Sequence, residues 1–368
     1  MQTISIDTKH KHYDVHVGSH IYENASSSYR SQLQKADHVV IFVDEVVAKL
    51  HLEKLLKPLE SISEKSVHVF ELPAGESSKA VETFMACHSF LLDVGCTRKS
   101  IAFALGGGAC GDVVGFVAST FMRGIPFFQC PTTILAHDSA VGGKTAINHP
   151  QGKNMIGSFY QPEAVLFDVS TLSTLPSQEI LSGMAEVIKH ALISDQQWLN
   201  ELLSFRSFAE ISSAQYLSFL VKGIAVKAAI VEQDEYEQSV RKYLNLGHTY
   251  GHAIEAKTGY GKITHGESVA IGLVISLLLS ENLQRLEQGN AKNLFEALNR
   301  FGYSFETVLE HSIDTLLSYM KRDKKASFGE LHFVLLEQIG KPCMKIVSVE
   351  DVTLAHEQLR KWIKEVHK

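Results

Sequence analysis

The chain has 368 residues, 45% of them hydrophobic and 21% charged, with a formal net charge of -6 at pH 7. That length allows two domains with their own cores, and the charge balance argues against a nucleic-acid binder, which normally carries a basic domain. Five scattered cysteines (Cys87, Cys96, Cys110, Cys130 and Cys343) form no C-x-x-C pair, a pattern expected of reduced thiols in a cytoplasmic protein rather than of a disulfide framework or zinc ribbon.

The first residues alternate polar and apolar with no apolar h-region, so no signal peptide is expected. Thr3–Asp7 and Tyr13–Val17 read as two strands joined by a polar turn. His38–Val43 is a strand ending at Asp44, and a helix follows to about Leu59. Ser66–Leu72 is the next strand, followed by PAGESSK and a helix near Ala80–Leu92. Ile101–Leu105 runs into a glycine loop, then a helix over about Gly111–Met122 and a strand at Pro126–Cys130. This β-α-β-α rhythm predicts a Rossmann-like parallel sheet with helices on both faces, with ligands at the carboxyl ends of the strands.

From about Thr171 the period becomes helical, over Gln178–Ile193, Tyr216–Glu232, Thr249–Ala256, Glu267–Leu286 and Ala291–Phe301. A strand pair near Leu331–Leu336 and Met344–Val347 and a helix from about Val349 complete the pattern. The longest apolar run, Val269–Leu279, is too short to span a membrane. The expected boundary lies near Asp168–Leu175, dividing an α/β domain over 1–170 from a mainly α-helical domain over 171–368.

Chemistry-bearing residues concentrate between Gly106 and Lys189. Gly106, Gly107 and Gly108 follow a strand, and Gly111 and Asp112 open a helix, a setting in which backbone N–H groups can approach phosphate. Asp44 suits either a ribose hydroxyl or a helix N-cap. Arg123, Lys144, Lys153, Lys189, Lys227, Arg241 and Lys325 supply cations, several of them beside glycines and amides in loops. Together they suggest a pocket for a substrate bearing carboxylate and phosphate. Glu186 shares a helix face with Lys189 and His190, and His248 and His252 stand four apart with His265 beyond a short loop. Two histidines and a carboxylate with an open position suit a catalytic divalent metal. Spacing leaves open whether His248 or His252 is the ligand.

The blocks GGGACGDVVGFVA, FMRGI, PTT, HDSAVGGKTAIN, GKNMIGSFYQP, LPSQEILSGMAEVIKH, LNLGHTYGHAIE and HGESVAIG resemble the 3-dehydroquinate synthase family, from Asp44 through Gly340. The resemblance implies an NAD-binding domain followed by a metal- and substrate-binding domain, with NAD+ and zinc or cobalt as cofactors. It makes Glu186, His248 and His265 the metal ligands and His252 a substrate-site histidine. Asp44, Glu76, Lys79, Gly107, Gly108, Asp112, Thr132, Thr133 and Asp138 match NAD positions, with Lys144 and Lys153 at the NAD and phosphate end. Arg123, Lys144, Asn154, Lys189, Lys227, Arg241, Asn245 and Lys325 match positions that hold the substrate's carboxylate, phosphate and hydroxyls. One departure is visible: the segment ILAHDSAVGG is one residue shorter than in many relatives, which is expected to shift Asp138 relative to NAD.

The implied activity is that of a phosphorus–oxygen lyase of the shikimate pathway, which serves aromatic amino acid biosynthesis. It turns 3-deoxy-D-arabino-heptulosonate 7-phosphate (DAHP) into 3-dehydroquinate and phosphate. The implied steps are transient NAD-dependent oxidation, β-elimination of phosphate, reduction, ring opening and aldol closure. A cytoplasmic homodimer with no nucleic-acid or membrane partner is also implied. The alternatives are another sugar-phosphate cyclase and a metal-dependent polyol dehydrogenase, the latter distinguished by net NADH formation.

Overall fold

The computed structural model describes residues 1–63, 65–259, 261–323 and 330–366. The chain forms two compact units, residues 1–175 with 213–236, and residues 176–212 with 237–368. The sequence suggested a single cut near residue 170. Instead the helix Ser213–Gln233 returns to the first unit, because its apolar side packs on the first two strands. That helix is long and apolar enough to cross a membrane, but Phe219, Leu220, Ile224, Ala228 and Val231 are buried against protein.

In the first unit the strands are β1 (Gln2–Asp7), β2 (His12–Gly18), β3 (Val39–Asp44), β4 (Val67–Leu72), β5 (Ile101–Gly106), β6 (Phe127–Pro131), β7 (Lys144–His149), β8 (Gly152–Phe159) and β9 (Ala164–Asp168). Seven of them form one sheet in the order β1-β2-β9-β6-β5-β3-β4. All neighbours are parallel except the β1–β2 hairpin at the edge. β3 and β5 are apolar along nearly their whole length because both faces are covered. Val39, Ile41 and Val43 face one apolar cluster with the helix Glu45–Ile62. Val40 and Phe42 face the other, with the helices Val81–Val94 and Gly108–Thr120. The strand order reverses between β3 and β5, so the crevice beyond their carboxyl ends is the switch point where such sheets take ligands. Asp44 ends β3 and Gly106 ends β5.

β7 and β8 form a separate antiparallel hairpin. Lys144, Lys153 and Asn154 therefore lie on strands, not in the loops that their glycine neighbours suggested. Gly, Lys and Asn interrupt the alternation in KTAINH and GKNMIGSF, which hid both strands from a periodicity reading.

The second unit is mainly helical, with one antiparallel pair, β10 (Leu331–Gln338) and β11 (Lys341–Val347). Its centre is the helix His265–Asn282, buried on every side from Ser268 to Glu281. Around it pack the helices Ser177–Ser194, His248–Thr258, Asn290–Phe301 and Val349–Val366.

Candidate active site

In the first unit the residues matched to nucleotide binding gather where β3, β5 and β6 end. Gly107 is the N-cap of the helix Gly108–Thr120, and no side chain caps that end. Its first N–H groups and the positive end of its dipole suit an anionic phosphate. Thr132 follows β6, and its N–H donates to the Gly106 carbonyl at 3.0 Å. Its Oγ1 is buried without a partner among the described residues, and a buried hydroxyl of that kind calls for one. Thr133 Oγ1 accepts from Ala136 N–H at 3.2 Å. Asp44 is a helix N-cap: Oδ1 accepts from Val46 N–H at 2.9 Å and Oδ2 from Gly75 N–H at 3.0 Å.

Polar pairs extend this region to the hairpin. Lys79, 2% exposed, donates to Asp112 Oδ2 at 2.6 Å and also to Asn154 Oδ1. Burial raises the Asp112 carboxyl above its ordinary value, although Lys79 opposes the rise. Asn148 Nδ2 donates to Glu76 Oε2 at 2.9 Å, and Asn148 Oδ1 accepts from Asn154 N–H at 3.0 Å. Asn154 is held at φ +57, and the exposed Arg123 at φ +69 next to Met122 at φ +47. Positive φ at such residues stores strain of the kind that collects at functional sites. Lys227 Nζ lies 2.9 Å from Asp138 Oδ1 and also donates to the Asp138 carbonyl. Lys144 is exposed and Lys153 half-buried.

The second unit is organised around Glu186, which is fully buried on the helix Ser177–Ser194. Lys189, one turn on and equally buried, is paired with it. His248 and His265 each open a helix. The start at His265 is fixed by a capping box, in which Thr264 and Glu267 satisfy each other's backbone donors. Close helix crossings set the spacing. A Cβ on Gly266 would fall 1.9 Å from the Ser182 carbonyl oxygen, and one on Gly272 would fall 1.8 Å from that of Gly247. Only glycine fits at either crossing.

Glu186 Oε1 is 3.6 Å from His248 Nε2 and 3.5 Å from His265 Nε2. The three donor atoms lie within 4.8 Å of one another. The other ring nitrogens are also engaged, His248 Nδ1 with the Leu246 carbonyl at 3.1 Å and His265 Nδ1 with Glu255 Oε2 at 3.4 Å. A carbonyl only accepts, so His248 carries its proton on Nδ1 and offers Nε2 as a lone pair. Burial, aided by Lys189 and the neighbouring histidines, pushes His248 down to about 3 in spite of Glu186. Burial also lowers His265, but Glu186 and Glu255 outweigh it and bring this ring up to about 9. One neutral imidazole, one imidazole between carboxylates and one buried carboxylate form a donor set that suits a borderline divalent ion.

His252 stands beside this group, its ring centroid 5.1 Å from that of His248 and 5.8 Å from that of His265, but is not one of its three donors. Arg241 is buried, and Asn245 Nδ2 donates to Glu237 Oε1 at 2.6 Å. Lys325 lies outside the described residues. Three residues absent from the sequence reading emerge here: Asn148, Glu237 and Glu255. Glu255 alone left a spacing signal, three residues after His252 and seven after His248 on one helix face.

Residues 69–182 match the family model for the 3-dehydroquinate synthase N-terminal region, and residues 183–326 match that for its C-terminal region. A curated 3-dehydroquinate synthase from Lysinibacillus sphaericus (strain C3-41) is 50% identical over 365 residues, covering 99% of both chains. One from Bacillus cereus (strain B4264) is 44% identical over 357 residues, covering 96% of this chain and 97% of its own. Among solved structures, 2-deoxy-scyllo-inosose synthase complexed with carbaglucose-6-phosphate, NAD+ and Co2+ aligns with a TM-score of 0.87 at 26% identity. That alignment covers 97% of this chain and all of the other.

Proposed function

The chain belongs to the 3-dehydroquinate synthase family, and from that premise we propose how its residues divide the work. The protein is a 3-dehydroquinate synthase, converting DAHP to 3-dehydroquinate and phosphate in the shikimate pathway. Its cofactors are NAD+ and a divalent metal, in keeping with the related cyclase bound to NAD+ and Co2+. The observation that carries the reading is the cluster of Glu186, His248 and His265, with both Nε2 atoms turned to one carboxylate oxygen.

Glu186, His248 and His265 hold the metal, zinc or cobalt. The uncapped helix end at Gly107 and Gly108, the buried Thr132 hydroxyl, Thr133, Asp44, Glu76, Lys79, Asp112 and Asp138 hold NAD+, with Lys144 and Lys153 at its phosphate side. When bound, the metal supplies Lewis acidity toward substrate oxygens and NAD+ supplies a hydride acceptor. Lys144, Asn154 and Lys325 orient the leaving phosphate, with Arg123 reaching the same anionic substrate. Lys79 keeps Asn154 in its strained conformation by donating to its amide oxygen. Lys227, Arg241 and Asn245 fix the carboxylate end. The pairing of Lys227 with Asp138 and of Asn245 with Glu237 restricts their rotamers before substrate arrives. His252 moves a proton at the substrate's C5 hydroxyl, and Lys189 holds the charge of Glu186 in place.

The division into an NAD-binding part and a metal- and substrate-binding part then follows the two units, with Ser213–Gln233 counted in the first. We place the protein in the cytoplasm as a homodimer. Five free cysteines, four of them buried, support a reducing compartment, and sedimentation velocity tests the dimer. The deciding experiment follows phosphate, 3-dehydroquinate and NADH together, with DAHP, catalytic NAD+ and zinc or cobalt. Equal rises of phosphate and dehydroquinate without NADH are expected. Accumulating NADH would make it a polyol dehydrogenase, and inertness toward DAHP would make it a cyclase for another sugar.

A further inference from the structure

We infer that Glu255 is a positioning residue for His265: its carboxylate accepts the Nδ1 proton of that ring and so fixes Nε2 as the coordinating atom. The inference rests on the reading of His265 as a metal ligand. Glu255 is 5% exposed, and a buried carboxylate needs partners. Its Oε2 lies 3.4 Å from His265 Nδ1, while the opposite nitrogen of the ring lies 3.5 Å from Glu186 Oε1. The imidazole is thus strung between two carboxylates, one on the ligand side and one behind it.

His248 has the same arrangement with a different acceptor. Its Nδ1 meets the Leu246 carbonyl at 3.1 Å and its Nε2 faces Glu186 Oε1 at 3.6 Å. Both rings therefore present Nε2 and hold Nδ1 behind. A neutral carbonyl only orients its ring, whereas a charged carboxylate also makes the ring a stronger donor. Glu255 can do this because its helix is fixed in place. Thr249 Oγ1 donates to the His332 carbonyl at 3.0 Å, and the Tyr250 hydroxyl meets His356 Nδ1 at 2.7 Å inside the protein. One face of a single helix thus carries a ligand, His252 and the carboxylate that orients the second ligand.

The test uses the full chain, with zinc affinity measured by chelator competition and ligand geometry read from the visible absorption of bound Co2+. Glu255→Ala is expected to weaken zinc about 10–100-fold and to shift the Co2+ bands, with NAD+ affinity unchanged. Glu255→Gln keeps the side-chain volume and an acceptor but drops the charge, so it is expected to keep the bands and still lose zinc affinity a few-fold, a loss that a mere packing role would not produce. Wild-type zinc affinity and Co2+ bands in Glu255→Ala would overturn the inference. Should that variant not fold, an undiminished zinc affinity in Glu255→Gln would overturn it. His265→Ala separates this from the ligand reading: wild-type metal affinity in that variant would remove His265 from the ligand set.

Discussion

The two units build their candidate sites by opposite means. In the first, main chain does much of the work. Strand ends line up Asp44, Gly106 and Thr132, and an uncapped helix end supplies N–H groups. Two of its cations are matched by neighbouring side chains, Lys79 with Asp112 and Asn154, and Lys227 with Asp138. In the second, side chains do the work. Three helices bring one carboxylate and two imidazoles together, and glycine crossings at Gly266 and Gly272 set how close those helices come. A site made from strand ends follows from topology, whereas a site made from helix starts depends on a few contacts that allow no extra atom.

The contrast predicts which changes are tolerated. Replacing the shared carboxylate, Glu186→Ala, should abolish metal binding and cut turnover more than about 1,000-fold while NAD+ still binds. Metal analysis and calorimetry check this, and a metal-loaded, active variant would end the side-chain account of the second unit. Gly266→Ala puts a methyl against the Ser182 carbonyl. It should cost about 3 kcal/mol in urea unfolding, as overpacking does, and lower zinc affinity in parallel. A loss of stability without a loss of zinc would separate the crossing from the site. In the first unit, Lys79→Met should weaken NAD+ about tenfold. It also removes the charge that opposes the rise of Asp112, so that carboxyl should climb further. An NAD+ titration against pH would show both effects, and unchanged binding would mean that the main chain suffices there.

The smallest effect lies away from both sites. Asp37 is buried enough to favour its neutral form, but hydrogen bonds from Ser100 (2.6 Å) and Thr97 hold its carboxyl below the ordinary value. A depressed folded value gives stability that is present above the unfolded pKa, about 3.9, and is lost as pH falls through the folded one. Asp37→Asn should therefore cost about 1 kcal/mol at neutral pH. The difference should vanish in acid, and thermal melts across that range measure it.

Much of this was legible in the sequence. The apolar strands of the first unit and the helical period of the second announced themselves, and β3 and β5 end where Asp44 and the glycines said they would. The hairpin β7–β8 did not, because its polar and glycine residues carry no period. Helix Ser213–Gln233 was legible as a helix but not as part of the first unit, since its packing partners lie some 200 residues earlier in the chain. Spacing brought forward both His248 and His252; the family resemblance pointed to His248, and the coordinates group that ring with Glu186 and His265. Glu255 left only its spacing from His248 and His252 on one helix face, which does not tell a buried carboxylate from an exposed one. Its burial comes from the neighbouring helix start, which no local pattern encodes.

The late return of Ser213–Gln233 also orders events during synthesis. Asp7 N–H, on β1, donates to Glu232 Oε1 at 2.9 Å, so this bond waits until the whole stretch between the two has been translated. A ribosome adding about 5–20 residues per second needs roughly 3–12 s to pass from the end of the leading segment to the end of that helix. For that interval the apolar side that β1 and β2 will share with the helix is uncovered on a nascent chain, the transient apolar exposure that favours aggregation over folding.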